Sequence, residues 1–510
     1  MAGYKADNAR LAKNTMFLYF RMFFIMAVTL YTSRVVLRVL GVEDFGIFNV
    51  VAGVVAMFGF LNSSMSATTQ RFISFSLGRG DDNLHKVFST CVLTHALVAL
   101  SVLVLVESVG LWFLYNKMII PEVRMDAAFW VFQFSALSTV VTVMSIPFNA
   151  DIIAHEKMSA FAYISIVEVC LKLLIVFLLD VGNIDKLVLY GFLLLLVQCG
   201  MFLTYMGYCL RHFKESHFRF VYEKKLFSEV FSFTGWNLWG YLASILYTQG
   251  LNLLLNVFFG PVVNAARGLA NQVDGAIRLF ASNFQMAINP QIVKTYAAKD
   301  LESMYKLVFR SSKFSFFLLL ALSLPVMIEA PVILRLWLST VPDWTASFLR
   351  LMLVVVIVDS VANPLMTSAA ATGKIKLYQS VLGGIQLLIV PVAYVVLRMG
   401  GEPNSVFVVH IGVSIIAFVA RVLIVRGLIV LPVSRFITEV CGRGLIVTAV
   451  AVALPLALFC TMSDTLLSAA VIVVVSVVSV AVCSFFLGLS SAEREFVICK
   501  VRSMMSKIKK

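Results

Sequence analysis

Charged residues are scarce in this sequence. They make up 13% of its 510 residues, whereas hydrophobic residues make up 60%, and the mean hydropathy is +0.94. A soluble protein of this length cannot bury so much apolar surface, because soluble sequences are only about half apolar. The composition therefore excludes a soluble architecture and predicts a protein whose solvent is lipid.

Motifs that commonly carry catalysis are also missing. There is no GxxxxGK[ST] loop for ATP hydrolysis, the six histidines show neither HExxH nor clustered spacing, and no Ser/His/Asp grouping falls on a soluble scaffold. The eight cysteines lie in or beside apolar segments without CxxC spacing, which is typical of buried, unpaired thiols rather than of disulfides or a metal site. We therefore expect no enzymatic activity, no metal and no cofactor.

The basic residues, which give a net charge of +14, are unevenly placed. Lys and Arg cluster between apolar segments at 211–225, 294–313 and 500–510, whereas short connections such as 41–46 and 461–464 are nearly free of them. This alternation follows the positive-inside rule for a multi-spanning protein. Because no soluble face exists to hold a basic, aromatic surface, nucleic-acid binding is not expected. The first apolar segment lacks a cleavage site, so it is predicted to be a retained helix with a cytoplasmic N-terminus.

Windows of about 20 apolar residues predict an all-α polytopic membrane protein with about fourteen transmembrane helices. An even number of spans returns the C-terminus to the cytoplasm, in agreement with the basic tail. The predicted spans are 14–39, 46–76, 86–115, 125–150, 158–180, 185–211, 228–257, 262–290, 310–338, 345–370, 376–398, 404–428, 436–461 and 464–489.

An internal repeat organises these spans. LGVEDFGIFNVVAGVVAMFGFLNSSMSATTQRFISFSLGRGD (40–81) aligns without a gap with FGPVVNAARGLANQVDGAIRLFASNFQMAINPQIVKTYAAKD (259–300), so that Gly41 faces Gly260. The alignment pairs spans one and two with spans seven and eight in the same membrane orientation. It predicts two pseudo-symmetric six-helix bundles and two additional helices. The predicted domains are 1–222, 223–430 and 431–510, the last ending in a basic cytoplasmic tail.

The eighth predicted span carries a polar stripe. At 100° per residue, five of its polar residues fall on one helical face: Asn264, Arg267, Asn271, Asp274 and Arg278. One interpretation is an internal ion pair of Asp274 with either arginine that only ties helices together. The other is a face that lines a water-filled cavity, which two cations against one anion favour because they leave net positive charge.

Other polar residues lie in the apolar spans. Arg21 is deep in the first span. Arg34 is nearer the outer end of that span, where a side chain that snorkels to the interface is as good an interpretation as one that lines a cavity. The second span has a polar face that bears Asn49 and ends at Arg71. Three acidic residues are candidates for coupling to an ion: Asp274, Asp359 and Glu168. Glu168 and Lys172 are spaced as a same-face ion pair, which favours a structural role, whereas no charged partner is evident near Asp359 in the sequence.

The stretches NTMFLYFRMFF, LYTSRVVLRVLGVEDFGIFNVVAGVVAMFGFLN and VVNAARGLANQVDGAIRLFASNFQMAINPQIVKTYAAKD resemble the polysaccharide-biosynthesis branch of the multidrug/oligosaccharidyl-lipid/polysaccharide (MOP) flippase superfamily, the Wzx-type flippases. The resemblance covers most of the chain. It implies a MATE-like fold and the movement of an undecaprenyl-pyrophosphate-linked oligosaccharide to the outer leaflet of a bacterial inner membrane. Guanidinium groups suit phosphate oxygens, so the expected substrate-binding residues are the arginines and amides of these spans: Arg21, Arg34, Arg71, Arg267, Arg278, Asn264, Asn271 and Asn49.

Two alternatives stay open. A cation-coupled multidrug exporter of the same superfamily would need a net acidic cavity, and a membrane scaffold for glycosyltransferases would not need deep charges. For a flippase we expect coupling to H⁺ or Na⁺ or to neither, a monomer among membrane lipids, and a polysaccharide polymerase and glycosyltransferases as partners.

Overall fold

The computed structural model describes residues 2–56, 58–80, 83–116, 118, 120–179, 185–219, 223–338, 341–463, 465–491, 493–495 and 498. The side chains of residues 2–13 and of several other positions, among them 34 and 49, lie outside the described set. All regular structure in the described residues is helical. The helices are α1 (Ala2–Ala56), α2 (Gly59–Arg79), α3 (Leu84–Leu105), α4 (Leu111–Asn116), α5 (Met125–Ala154), α6 (Met158–Leu178), α7 (Lys186–His212), α8 (Lys224–Phe259), α9 (Pro261–Ala297), α10 (Leu301–Ile328), α11 (Ala330–Trp337), α12 (Thr345–Ala371), α13 (Lys376–Leu387), α14 (Ile389–Arg398), α15 (Ser405–Ile429), α16 (Val433–Phe436), α17 (Arg443–Thr461) and α18 (Leu466–Cys483).

The all-α membrane architecture predicted from the composition is confirmed. Eleven helical segments of the described residues are long and apolar enough to cross a membrane, and a shorter apolar helix covers Asn14–Thr29. The other predicted spans fall in α1, α2 and α9, where polar residues interrupt the apolar run. The count of about fourteen therefore stays a prediction.

The aligned glycines of the predicted repeat share a positive φ angle. Gly41 has φ +80° and interrupts α1, and Gly260 has φ +80° and separates α8 from α9. Glycine tolerates this left-handed conformation without the steric cost that a Cβ brings. The helices that follow have different bounds, since α1 ends at Ala56 and α2 begins at Gly59, whereas α9 continues to Ala297.

The chain forms two compact units. Unit 1 comprises residues 1–242 and 286–300, and unit 2 comprises residues 243–285 and 301–510. The first part of α8 and the last part of α9 thus belong to unit 1, and α17 and α18 belong to unit 2. The domain limits predicted from the repeat are not tested by this division and stay a prediction.

Unit 1 has an apolar core between α1, α2, α3 and α5, with Val51, Met65, Val102 and Phe132 almost fully buried. At one end, Arg124 connects two helix starts. Its Nε donates to Asp44 Oδ1 at 2.9 Å, and its Nη1 donates to Asp185 Oδ2 at 2.5 Å. Asp185 also caps α7 by accepting from the backbone of Leu187 and Val188 at 3.0 and 3.1 Å. A helix N-terminus favours such a carboxylate.

Unit 2 has a core in which Leu251 and Ala270 pack with Phe348, Leu353 and Phe407, all nearly inaccessible. A second apolar cluster joins α10 to α17 and α18. The first of these clusters holds the second part of α8, the first part of α9 and α12 against one another, which positions the polar stripe of α9.

Candidate functional site

The polar stripe of α9 is folded as one uninterrupted helix, as its 3.6-residue period predicts. Ala266, Ala270 and Ile277 are buried beside the stripe, whereas Val262, Ala265 and Leu279 on the other side of the helix are exposed. The apolar residues thus pack one side of α9 into the core of unit 2. This packing fixes the position of the charged residues on the adjacent face of the helix.

Arg278 binds two carboxylates. Its Nε lies 2.8 Å from Asp274 Oδ2, one helical turn earlier, and its Nη1 lies 3.2 Å from Asp359 Oδ2 on α12. The Arg278 side chain is 39% exposed, against 13% for Asp274 and 27% for Asp359. Arg278 is therefore the most exposed member of this cluster.

The charge of this cluster differs from the sequence expectation. The stripe alone predicted net positive charge, but Asp359 adds a second carboxylate, so the Arg278 cluster carries −1 and the addition of Arg267 brings the total to zero. The sequence missed this because Asp359 lies 81 positions from Arg278. Asp274 Oδ1 is buried and accepts no hydrogen bond from the described residues, which leaves it free to take a cation.

Arg267 has a different environment. It is only 3% exposed, and its Nη1 donates to the Thr248 carbonyl at 3.1 Å and to the Asn252 side-chain oxygen. Its Nε is buried and has no hydrogen-bond partner among the described residues. Among the described residues no carboxylate lies within ion-pair distance of Arg267, so its charge is solvated by neutral oxygens of α8 alone.

The predicted amides lie on the same helix. Asn264 and Asn271 are half-buried, and Asn264 Oδ1 accepts no hydrogen bond from the described residues. Sequence reasoning overlooked Asn252 and Thr248, which hold Arg267, and also His410. The His410 ring lies 5.3 Å from the ring of Tyr247 and interacts electrostatically with Asp359, Arg278 and Arg267. Spacing gave no signal for these residues because they come from other helices.

Two of the predicted arginines of unit 1, Arg21 and Arg71, face aromatic rings. The Arg71 guanidinium lies 4.5, 4.6 and 5.4 Å from the ring centroids of Phe72, Phe75 and Phe233 and is 8% exposed. Arg21 lies 4.4 Å from the centroid of the Phe161 ring, and its buried Nε donates no hydrogen bond to the part of the chain that the structure describes. Aromatic faces stabilise such cations by about 0.5–2 kcal/mol.

The remaining predicted residues divide into two groups. Glu168 binds Lys172 Nζ at 2.6 Å, so the ion pair predicted from their spacing is present and the structural role is supported. A coupling role for Glu168 stays a prediction. The side chains of Arg34 and Asn49 lie outside the described residues.

Neither a family model nor a curated protein matches this sequence, but solved structures share its fold. A MATE structure in the bent conformation superposes with a TM-score of 0.72 at 13% identity, covering 83% of this chain and 96% of that one. An outward-facing multidrug resistance MATE family transporter of the MOP superfamily gives 0.71 at 13% identity, covering 83% and 96%. A MOP superfamily transporter from Pyrococcus furiosus Vc1 (DSM3638), for which reverse polarity of the binding pocket suggests a different function, gives 0.67 at 13% identity, covering 84% and 96%.

The fold of this chain is therefore MATE-like, as the resemblance implied. At 13% identity the likeness extends to the fold and no further. The charged residues of α9 and α12 are the features that indicate which class of ligand this chain binds.

Proposed function

We propose that this protein is a transporter of the flippase type, which moves an undecaprenyl-pyrophosphate-linked oligosaccharide from the inner to the outer leaflet of a bacterial inner membrane by alternating access. The observation that carries the proposal is Arg267, a buried cation in a predicted membrane span, whose hydrogen bonds among the described residues go to neutral oxygens. An arginine at mid-membrane costs about 3 kcal/mol even on scales that allow for snorkelling. An anionic ligand offsets that cost, and pyrophosphate is the anion of the proposed substrate.

Arg278 supplies the second guanidinium. Its partly exposed side chain can turn from a carboxylate to a phosphate, because both groups accept two hydrogen bonds from one guanidinium. Pyrophosphate would then bring more negative charge next to Asp274 and Asp359. A proton or Na⁺ on these carboxylates removes the repulsion, so we include ion coupling through Asp274 and Asp359 in the proposal.

The sugars need hydrogen-bond partners rather than charge. Asn264 and Asn271 offer amide donors and acceptors on the same face as Arg267. The open acceptor at Asn264 Oδ1 supports this role.

The test is complementation of a flippase-null strain, with surface glycan and accumulated lipid-linked oligosaccharide as the two readouts. The wild-type chain should restore export, whereas Arg267→Ala and Arg278→Ala should leave the lipid-linked oligosaccharide to accumulate. Arg335→Ala, which removes an exposed arginine of α11, is the matched control and should export normally. Normal export by both Arg267→Ala and Arg278→Ala at equal membrane levels would show that the site is wrongly assigned.

A second candidate, a cation-coupled multidrug exporter, is favoured by one observation. Asp274 and Asp359 share one arginine, so this part of the site is net negative and suits a cationic drug. Efflux of ethidium by the wild-type chain in an exporter-deficient strain, abolished by Asp359→Asn but not by Arg267→Ala, would support the exporter over the flippase.

The rest of the proposal follows from the flippase assignment. The protein would work as a monomer in the inner membrane with both termini in the cytoplasm. A polysaccharide polymerase and glycosyltransferases would be its partners.

A further inference from the structure

Three metal-ligating side chains meet in unit 1, far along the chain from the charges of α9. Asp151 is on the last turn of α5, His155 follows that helix, and Glu215 is in the short 3-10 turn after α7. His155 Nδ1 lies 3.1 Å from Asp151 Oδ1, and His155 Nε2 lies 2.9 Å from Glu215 Oε1. One ligand atom from each residue lies within 4.8 Å of the others, which is the span across one ion with metal–ligand bonds of about 2.0–2.4 Å.

Neighbouring residues hold this cluster in place. Ser216 Oγ donates to Asp151 Oδ2 at 2.6 Å, which fixes the carboxylate. The Phe213 ring stacks on the His155 ring with 4.0 Å between centroids and 16° between planes. Orientation of the ligands by such outer contacts is a usual property of metal sites.

The cluster is short of positive charge. The Asp151 side chain is fully buried and that of Glu215 is 12% exposed, and the ion pairs of both go to His155. Even a doubly protonated His155 therefore leaves one negative charge uncompensated among the described residues. Asp151 Oδ1 and Glu215 Oε1 are also buried oxygens, and each has one ring nitrogen of the same His155 as its neighbour. A buried cluster that keeps a net negative charge is costly unless a further cation binds it.

We propose that Asp151, His155 and Glu215 bind one divalent transition-metal ion, of the class of Zn²⁺ or Mn²⁺. One imidazole and two carboxylates suit these ions, whereas Mg²⁺ and Ca²⁺ prefer oxygen ligands alone. The ion fastens the segment 213–216 to the end of α5. It does so at the connection between α7 and α8, where the two predicted bundles join. The site is separate from the proposed transport site and does not depend on it.

The test uses the full chain, purified in detergent and stripped with a chelator. Titration with ZnCl₂ or MnCl₂ should show one ion bound per chain and a rise in the melting temperature with metal concentration, since a ligand that binds only the folded state stabilises it. Glu215→Gln preserves the shape of the side chain and should weaken binding at least about 10-fold, as should His155→Ala. His212→Ala removes an exposed histidine of the same segment and should bind like the wild type.

Two results would overturn the proposal. One is a wild-type chain that binds neither ion and melts at the same temperature with and without them, which would leave a proton as the only cation of the cluster. The other is unchanged stoichiometry and affinity in a folded Glu215→Gln variant.

Discussion

Arg278 on α9 lies 3.2 Å from Asp359 on α12 while it also holds Asp274 at 2.8 Å. One guanidinium thus compensates two carboxylates from different helices. The two ion pairs connect α9 to α12 in unit 2, so the cluster is a structural contact. One negative charge of the cluster stays uncompensated, which favours the binding of a cation there.

Removal of Arg278 should destabilise unit 2 more than removal of one of its carboxylates. Arg278→Met leaves Asp274 and Asp359 with like charges and no partner. We expect a loss of about 2–3 kcal/mol in the free energy of unfolding, below the value for a fully buried pair because Arg278 is partly exposed. Asp359→Asn should cost less than about 1 kcal/mol. The melting temperatures of the two variants in detergent, followed by tryptophan fluorescence, measure these losses of stability. The double variant Arg278→Met, Asp274→Asn should recover part of the loss caused by Arg278→Met. Equal losses for the two single variants would contradict the shared-arginine interpretation.

Removal of Asp359 should strengthen binding of an isoprenyl pyrophosphate. Asp359→Asn makes the Arg278 cluster neutral, so an incoming pyrophosphate meets less repulsion and competes with one carboxylate instead of two. We expect roughly 10-fold tighter binding of undecaprenyl pyrophosphate, which is the effect of about 1.4 kcal/mol. Calorimetry at fixed pH measures this affinity, with Glu402→Gln, which removes an exposed carboxylate of unit 2, as the control. Unchanged or weaker binding would exclude competition between Asp359 and the anion.

Arg124 should stabilise unit 1 in a pH-dependent way. Burial raises the pKa of Asp185, but hydrogen bonds from Arg124 and from the start of α7 outweigh it and hold the pKa of Asp185 below its usual range. The stability from this pair is therefore complete above the unfolded-state pKa of about 3.9 and is lost as the pH falls through the lower folded-state value. Arg124→Met should lower the melting temperature at pH 7 by an amount equivalent to about 1 kcal/mol or less, because Asp185 is 37% exposed. Melting temperatures from pH 7 to pH 3 should show the two chains converging at the acid end, and a constant gap would refute the role of Asp185.

Gly78 should not tolerate a side chain. A Cβ at this position would lie 2.5 Å from the Lys294 carbonyl oxygen and 2.6 Å from Lys294 Cα, so the end of α2 and the end of α9 must separate within unit 1. Gly78→Ala should lower the free energy of unfolding by about 1–3 kcal/mol, as overpacking does. Gly207→Ala, in a helix position with open space around it, should instead be neutral or stabilising. The melting temperatures of the two variants test this prediction. Equal values would show that the ends of α2 and α9 are packed less closely than the structure shows.

Several features follow from the sequence because their causes are local. Apolar runs long enough to cross a bilayer identify a helical membrane protein, since lipid leaves the backbone no other partner than itself. The period of the helix places Arg267, Asp274 and Arg278 on one face and Glu168 beside Lys172, and the structure has both arrangements. The left-handed turns at Gly41 and Gly260 fall at the aligned positions of the repeat.

The partners of these residues were decided by tertiary packing. Asp359 reaches Arg278 from 81 positions away, Phe233 joins the rings around Arg71, and Glu215 meets His155 across the whole of α6 and α7. No helical period relates such residues, because their distance depends on how helices cross rather than on the rise along one helix. For that reason the sequence alone determined where charge enters the membrane helices, and only the fold determined which of those charges are neutralised.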